Sequence, residues 1–229
     1  MKEYDVVYIL KNGIDSDEIR YSLRSIEQNF PHRKVWIYGG KPEGIEPDRY
    51  VEVIQKGRTR YSKVTNTIKQ ICQNEEITDR FWLFNDDFFV TKKVEDMLPV
   101  ADGSIAQRVR VIEAKTGIKS SYALALEHTA EILARKGYDT LCYAVHLPML
   151  IDRKAALEAL AEFPGEPMFR CIYGNYVAEA SLITADVKVF GDEAPEDDWL
   201  FLSTDDTAWS SKAGEYIRAM FRRPSRWER

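Results

Sequence analysis

Phe81-Trp82-Leu83-Phe84-Asn85-Asp86-Asp87-Phe88-Phe89 decides how this chain is read. Phe81 to Phe84 is its most apolar strand-like run, and two adjacent carboxylates sit among five aromatics: Phe81, Trp82, Phe84, Phe88 and Phe89. A buried, unpaired carboxylate costs several kcal/mol, so Asp86 and Asp87 cannot both enter an apolar core. They must meet water, arginine or a cation. A hard divalent ion such as Mg²⁺ takes one or two carboxylates plus substrate phosphates, and the end of a strand offers that arrangement.

Upstream of this stretch, strands and helices alternate. Val6 to Leu10 reads as a β-branched strand closed by the turn Asn12-Gly13. A helix follows, capped by Asp15, Ser16 or Asp17, with Ile19, Leu23, Ile26 and Phe30 along its inner face and Pro31 stopping it. Lys34 to Tyr38 and Tyr50 to Ile54 read as the second and third strands. A second helix, with Tyr61, Val64, Ile68 and Ile71 as its inner stripe, leads into Phe81 to Phe84. This alternation predicts an α/β fold with a mostly parallel central sheet, flanking helices, and ligands at the strands' carboxyl ends. Asn85-Asp86-Asp87 falls on that edge.

Beyond Val100 the order changes. The spacing predicts a strand over 108–113, a helix over 121–135 stopped by Gly137, and a strand over 140–145 running into His146-Leu147-Pro148. Helices over 152–162 and 168–180, a strand over 187–190 and a helix over 210–222 follow. Neither repeat nor linker divides the 229 residues, a length that one α/β domain accommodates.

Composition narrows the class. With 45% hydrophobic and 30% charged residues, the chain is globular rather than disordered. Its longest apolar stretch, Leu141 to Ile151, is broken by His146 and Pro148 and is too short to span a bilayer. The first residues lack the length and cleavage site of a secretory signal, so a cytoplasmic location is expected. Cys72, Cys142 and Cys171 are odd in number and each sits in apolar sequence, which predicts buried thiols and no zinc site. Five basic residues and no acid between Val53 and Gln70 form either a solvated face or a site for phosphate, nucleotide or nucleic acid.

Several residues are candidates for chemistry. Arg20 and Arg24 lie four apart on one helix face, where like charges repel by roughly a few tenths of a kcal/mol. An anion between them reverses that sign; so do i,i+3 pairs of Asp17 with Arg20 and of Arg24 with Glu27. Glu18 projects from the first turn of the same helix. His146, in an apolar run, is either a satisfied core residue or a base. Arg170, between Phe169 and Cys171, must find a carboxylate, phosphate or carbonyl partner.

Read in order, four blocks resemble the Stealth family, the sugar-phosphate transferases of capsule polymers that include the lysosomal-enzyme N-acetylglucosamine phosphotransferase. The opening Asp5-Val6-Val7-Tyr8 is similar to its first block. Glu18-Ile19-Arg20-Tyr21-Ser22-Leu23-Arg24-Ser25 with Phe84-Asn85-Asp86-Asp87-Phe88-Phe89 is similar to the second. His146-Leu147-Pro148-Met149, Glu162-Phe163-Pro164 and Phe169-Arg170 are similar to the third. Phe201-Leu202-Ser203-Thr204-Asp205-Asp206 with Pro224-Ser225-Arg226-Trp227-Glu228 is similar to the fourth, with Ser203-Thr204 where Asn is usual and Trp227 where Phe is usual.

The resemblance implies a GT-A-like nucleotide-diphospho-sugar transferase fold over residues 1–229, with a nucleotide-sugar half of about 1–100 and an acceptor half of about 101–229. It puts Glu18, Asp86, Asp87, His146 and Arg170 on functional positions. The expected donor is a nucleotide-diphosphate sugar, contacted by Arg20, Arg24, Lys63 and Asn66. The expected cofactor is a divalent cation, Mg²⁺ or Mn²⁺, on Asp86 and Asp87, and His146 is the expected base for an acceptor hydroxyl. That hydroxyl belongs to a glycan, a polysaccharide or a hydroxylated nucleic-acid base, and receives either sugar or sugar 1-phosphate. The competing expectation, from another class, is a non-catalytic module of the same fold that senses a glycan or nucleotide.

Overall fold

The computed structural model describes residues 3–13, 17–97, 99–165, 167–178, 182–183, 186–196 and 198–229. The chain opens with β1 (Asp5–Leu10), α1 (Glu18–Asn29), β2 (Val35–Gly39), β3 (Arg49–Val51), α2 (Arg60–Gln73) and β4 (Arg80–Phe84). After them come β5 (Phe88–Val90), β6 (Val100–Ala101), α3 (Ile105–Thr116), α4 (Ser121–Arg135), β7 (Met149–Asp152), α5 (Arg153–Glu162) and α6 (Phe169–Val177). Three short strands, β8 (Leu182–Ile183), β9 (Lys188–Val189) and β10 (Phe201–Thr204), precede α7 (Asp206–Trp209) and α8 (Lys212–Met220).

The central sheet has the order β3-β2-β1-β4-β7. Its first four strands are parallel, and β7 closes the edge antiparallel to β4, with Leu83 opposite Met149 and Arg80 opposite Asp152. Successive strand residues point to opposite faces, and both faces are covered, which is why β1 and β4 are apolar almost throughout. On one face Val6, Tyr8, Trp82 and Phe84 pack against Ile19, Leu23, Ile26 and Phe30 of α1 and its cap. On the other, Val7, Phe81 and Leu83 pack with Ile68 and Ile71 of α2. A three-stranded sheet, β5-β10-β9, stands beyond the carboxyl end of β4, and β6 pairs with β8. Among the described residues, no helix is long and apolar enough to cross a membrane.

Several expectations need correction. Residues 108–113 lie within α3 rather than in a strand. Ser104 caps that helix through the Gln107 N–H at 3.1 Å, Gly117 ends it at φ 69°, and its packing against α4 overrides the β-branched run. Residues 140–145 form no ladder strand. Their backbone is satisfied by the 102–104 loop (Cys142 N to Gly103 O, 2.9 Å) and by the Asn175 side chain, which bonds both the N–H and the carbonyl of Leu141. The strand here is β7, four residues further on. The helix expected over 168–180 stops at Val177, because Ala178 takes a left-handed φ of 51°.

The helix expected over 210–222 is α8, shortened at both ends and preceded by the separate four-residue α7, and the strands expected over 50–54 and 187–190 shorten to β3 and β9. In α2, Val64 is 39% exposed, and the inner face is Thr67, Ile68, Ile71 and Cys72. Asp17 is the N-cap of α1 without a side-chain cap bond; Asp15 and Ser16 lie outside the described residues. All three cysteines are buried and unpaired by any disulfide, as their context predicts.

Candidate functional site

Where the chain leaves β4, Phe84 and Phe88 are both locked in the core, at 0% and 1% exposure. The turn between them, with Phe88 N–H on Asn85 O at 3.3 Å, therefore has to expel Asp86 and Asp87. Two buried serines of α1 fix that turn from below: Ser22 Oγ donates to Phe88 O at 2.6 Å and Ser25 Oγ accepts from Val90 N–H at 3.0 Å. The two half-buried aspartates face an open cleft of about 950 Å³, whose walls include Leu10, Lys11, Glu18 and Lys188. This cleft lies at the carboxyl ends of β1 and β4, where a parallel α/β sheet takes its ligands.

Two acids on this wall, Asp87 and Glu18, have partners from the second sheet. Asp87 Oδ2 accepts from Lys188 Nζ at 2.7 Å and from Ser203 Oγ at 3.0 Å. Glu18, in the first turn of α1, accepts from Thr204 Oγ1 at 2.7 Å. The positive end of the helix dipole favours a carboxylate there. Ser203 and Thr204 are thus the hydroxyls that hold Asp87 and Glu18.

His146 is built differently. Its Nδ1 lies 2.7 Å from Asp186 Oδ2, while its backbone N–H donates to Asp186 Oδ1 at 2.9 Å. Arg108 extends the chain, donating to Asp186 Oδ2 and to Asp102 Oδ2, each at 2.9 Å. Burial alone would raise the Asp186 carboxyl, but the hydrogen bonds and charge of His146, with the charge of Arg108, hold it down at about 2. An ionised Asp186 on Nδ1 places the proton there and leaves Nε2 as the acceptor. The ring is 24% exposed and stands edge-on to Phe88 at 6.2 Å, so His146 is not a sealed core residue.

The Arg170 guanidinium lies over the Phe88 ring at 5.4 Å and donates to Leu147 O at 2.7 Å. Burial lowers its pKa to about 10, against Asp87, whose charge raises it; it stays charged at neutral pH. Phe88 is therefore the common wall of His146 and Arg170, one residue past Asp87. The extended segment leading into β9 ties the two halves together. Asp186 and Lys188 are two residues apart, on one face of that segment, and hold His146 and Asp87 respectively.

His146 and Arg170 stand behind Phe88 rather than on the cleft wall, Arg170 lining a separate pocket with Leu147 and Pro148, and the four residues expected to contact the donor do not line the cleft either. Arg20 pairs with Asp17 at 3.5 Å and bonds the Glu43 carbonyl. Arg24 makes a bidentate pair with Glu228, at 2.8 and 2.5 Å, and bonds Phe221 O, with its guanidinium 4.5 Å from the Tyr21 ring centre. Of the two i,i+3 pairs foreseen, only Asp17 with Arg20 forms, since Glu27 accepts from the Arg226 N–H. Lys63 and Asn66 are exposed on α2, where Asn66 Nδ2 bonds Lys56 O at 3.0 Å. Among the described residues, no group of three or more His, Cys, Asp or Glu is arranged to hold a metal ion. Asp86 and Asp87 offer hard oxygens that suit Mg²⁺ or Mn²⁺ only where a diphosphate and water complete the shell.

Sequence reasoning missed Asp186, Lys188 and Arg108. The partners of Asp186 and Lys188 are 40 and 101 residues away, and no local pattern marks them. No family model matches the chain, and no curated protein matches it. Among solved structures, the galactosyltransferase LgtC in complex with donor and acceptor sugar analogs is similar over 96% of this chain and 96% of that one, with a TM-score of 0.53 at 9% identity. An active-site mutant of LgtC is similar over 94% of each chain, with a TM-score of 0.51 at 11% identity. At such identities the likeness concerns the fold, which is of the GT-A glycosyltransferase type.

Proposed function

We propose that the chain is a nucleotide-sugar-dependent transferase that moves a sugar or a sugar 1-phosphate from a nucleotide-diphosphate sugar to an acceptor hydroxyl on a glycan or polysaccharide. The observation that carries this reading is the pairing, around Phe88, of a carboxylate-lined cleft at the sheet's carboxyl edge with a histidine held by Asp186. Residues 1–229 act as one unit in it: the part up to about residue 100 supplies Glu18, Asp86 and Asp87, and the remainder supplies His146, Arg170 and Lys188.

In this mechanism the donor's diphosphate enters the cleft beside Asp86 and Asp87, which would hold a divalent cation together with it. That cation, when bound, neutralises charge on the leaving phosphate. His146 Nε2 takes the proton of the acceptor hydroxyl, and Asp186 stabilises the imidazolium that forms. Arg170, fixed on Phe88 and Leu147 O and within reach of the charge of Asp87, adds positive charge behind the cleft as charge develops on the donor. Attack at the anomeric carbon releases a nucleoside diphosphate. Attack at the sugar-bearing phosphorus releases a nucleoside monophosphate.

A panel of sugar nucleotides tests the reading. The cognate donor, at 100 times its Kd, adds about 2.7 kcal/mol of stability and raises the melting temperature in the presence of Mn²⁺. The nucleotide released on incubation with acceptor glycans then identifies the bond broken. Failure of every sugar nucleotide to stabilise the folded chain, with and without Mn²⁺, would overturn the proposal. Binding with no nucleotide released from any acceptor would assign the fold to a sensor instead.

A further inference from the structure

We infer that Lys188 is the cleft's internal counter-cation: it occupies Asp87 in the free protein and passes to the donor's diphosphate on binding, so that cation and nucleotide enter together. This rests on the proposed donor site and adds the order in which it fills.

The ion pair is short and sheltered. Lys188 Nζ and Asp87 Oδ2 are 2.7 Å apart, with the two side chains 14% and 15% exposed. An ion pair this enclosed is screened weakly by salt, and a cation arriving alone has to displace an ammonium of like sign from Asp87. Six carboxylates line the cleft against two lysines, Lys11 and Lys188. A diphosphate arriving alone therefore meets net negative charge, and two lysines do not reverse it. Each ligand is repelled singly, and the two neutralise one another when they come together.

Lysine suits the transfer. Its ammonium is a point charge on a flexible four-carbon stem, which can leave one oxygen anion for another without moving the backbone. The backbone here is held, since Lys188 pairs with Ser203 in the ladder between β9 and β10. Ser203 Oγ stays on Asp87 Oδ2 when the ammonium departs, so the carboxylate keeps its orientation. Lys188 also stands two residues from Asp186, about 7 Å along an extended strand. An ammonium released from Asp87 thus remains between the donor cleft and the residue that holds His146.

The test is the binding of Mn²⁺ and of inorganic pyrophosphate, by calorimetry, to the full chain and to Lys188→Met and Lys188→Gln. Gln keeps a hydrogen-bond donor for Asp87 without the charge, and circular dichroism verifies that each variant is folded. Loss of the ammonium is expected to tighten Mn²⁺ alone about tenfold or more, and to weaken pyrophosphate in excess Mn²⁺ by about tenfold or more. A purely structural role for Lys188 moves both affinities the same way or neither. Adding Asp87→Asn to Lys188→Met is expected to abolish the gain for Mn²⁺. Unchanged or weaker Mn²⁺ binding in both single variants, or unchanged pyrophosphate binding, overturns the inference while leaving the donor site standing. Absence of Mn²⁺-pyrophosphate binding in all folded forms overturns the donor site itself.

Discussion

Asp186 carries much of the chemistry assigned here, and its titration gives a direct check. Its carboxyl is depressed in the folded protein to about 2, from an ordinary value near 3.8. A group with a depressed folded pKa contributes stability that is present above its unfolded pKa and lost as pH falls through the folded one. The window is thus from about pH 4 down to about pH 2, and the stake is ~2 kcal/mol. Urea denaturation of Asp186→Asn is expected to show a flatter acid limb across that window than the parent chain. The same variant weakens the hold on Nδ1–H, so turnover falls while donor affinity stays. His146→Ala is expected to lose about 10²–10⁴ in turnover, again with donor affinity kept. A core histidine would behave in the opposite way, lowering the melting temperature without changing turnover per folded molecule.

Legibility at this scale followed the distance to the partner. Asp86 and Asp87 declared themselves because their conflict with five neighbouring aromatics is local. Arg24 left two options open and took a third, since Glu228 lies 204 residues away. That pair is largely buried, with side chains 11% and 8% exposed. Arg24→Ala strands a carboxylate and is expected to cost about 2–3 kcal/mol in urea denaturation with nucleotide affinity unchanged.

Among the elements, the first half of the chain was legible almost residue by residue. Alternation of strand and helix with one apolar stripe each is a local code, and β1, α1, β2 and β4 obey it. The second half is held by contacts that no period announces. The extended run around Cys142 spends its backbone bonds on a loop and on Asn175, and α3 owes its helix to two caps and a neighbour rather than to propensity. The fit of α6 to that run is close. A Cβ placed on Gly174 would come within 2.3 Å of the Tyr143 ring, whose residue is 3% exposed. Gly174→Ala is accordingly expected to cost about 1–3 kcal/mol by overpacking, despite alanine's higher helix propensity, and thermal denaturation reads the sign.

For the molecule as a whole, the fold expected from the sequence is the one observed, and the positions of its acids and bases relative to the central sheet explain more than the net charge of −5. One feature of the packing bears on how the chain is made. Trp227, 2% exposed, completes the same core as α1, Glu228 closes on Arg24, and the Glu228 backbone bridges Ile45. Translation delivers α1 roughly two hundred codons before these partners, so during synthesis that side of the first sheet waits with its apolar seat open. Apolar surface left open in this interval is prone to aggregation, and a premature stop codon upstream of Trp227 yields a product that keeps most of its elements but exposes the seat they were built to share.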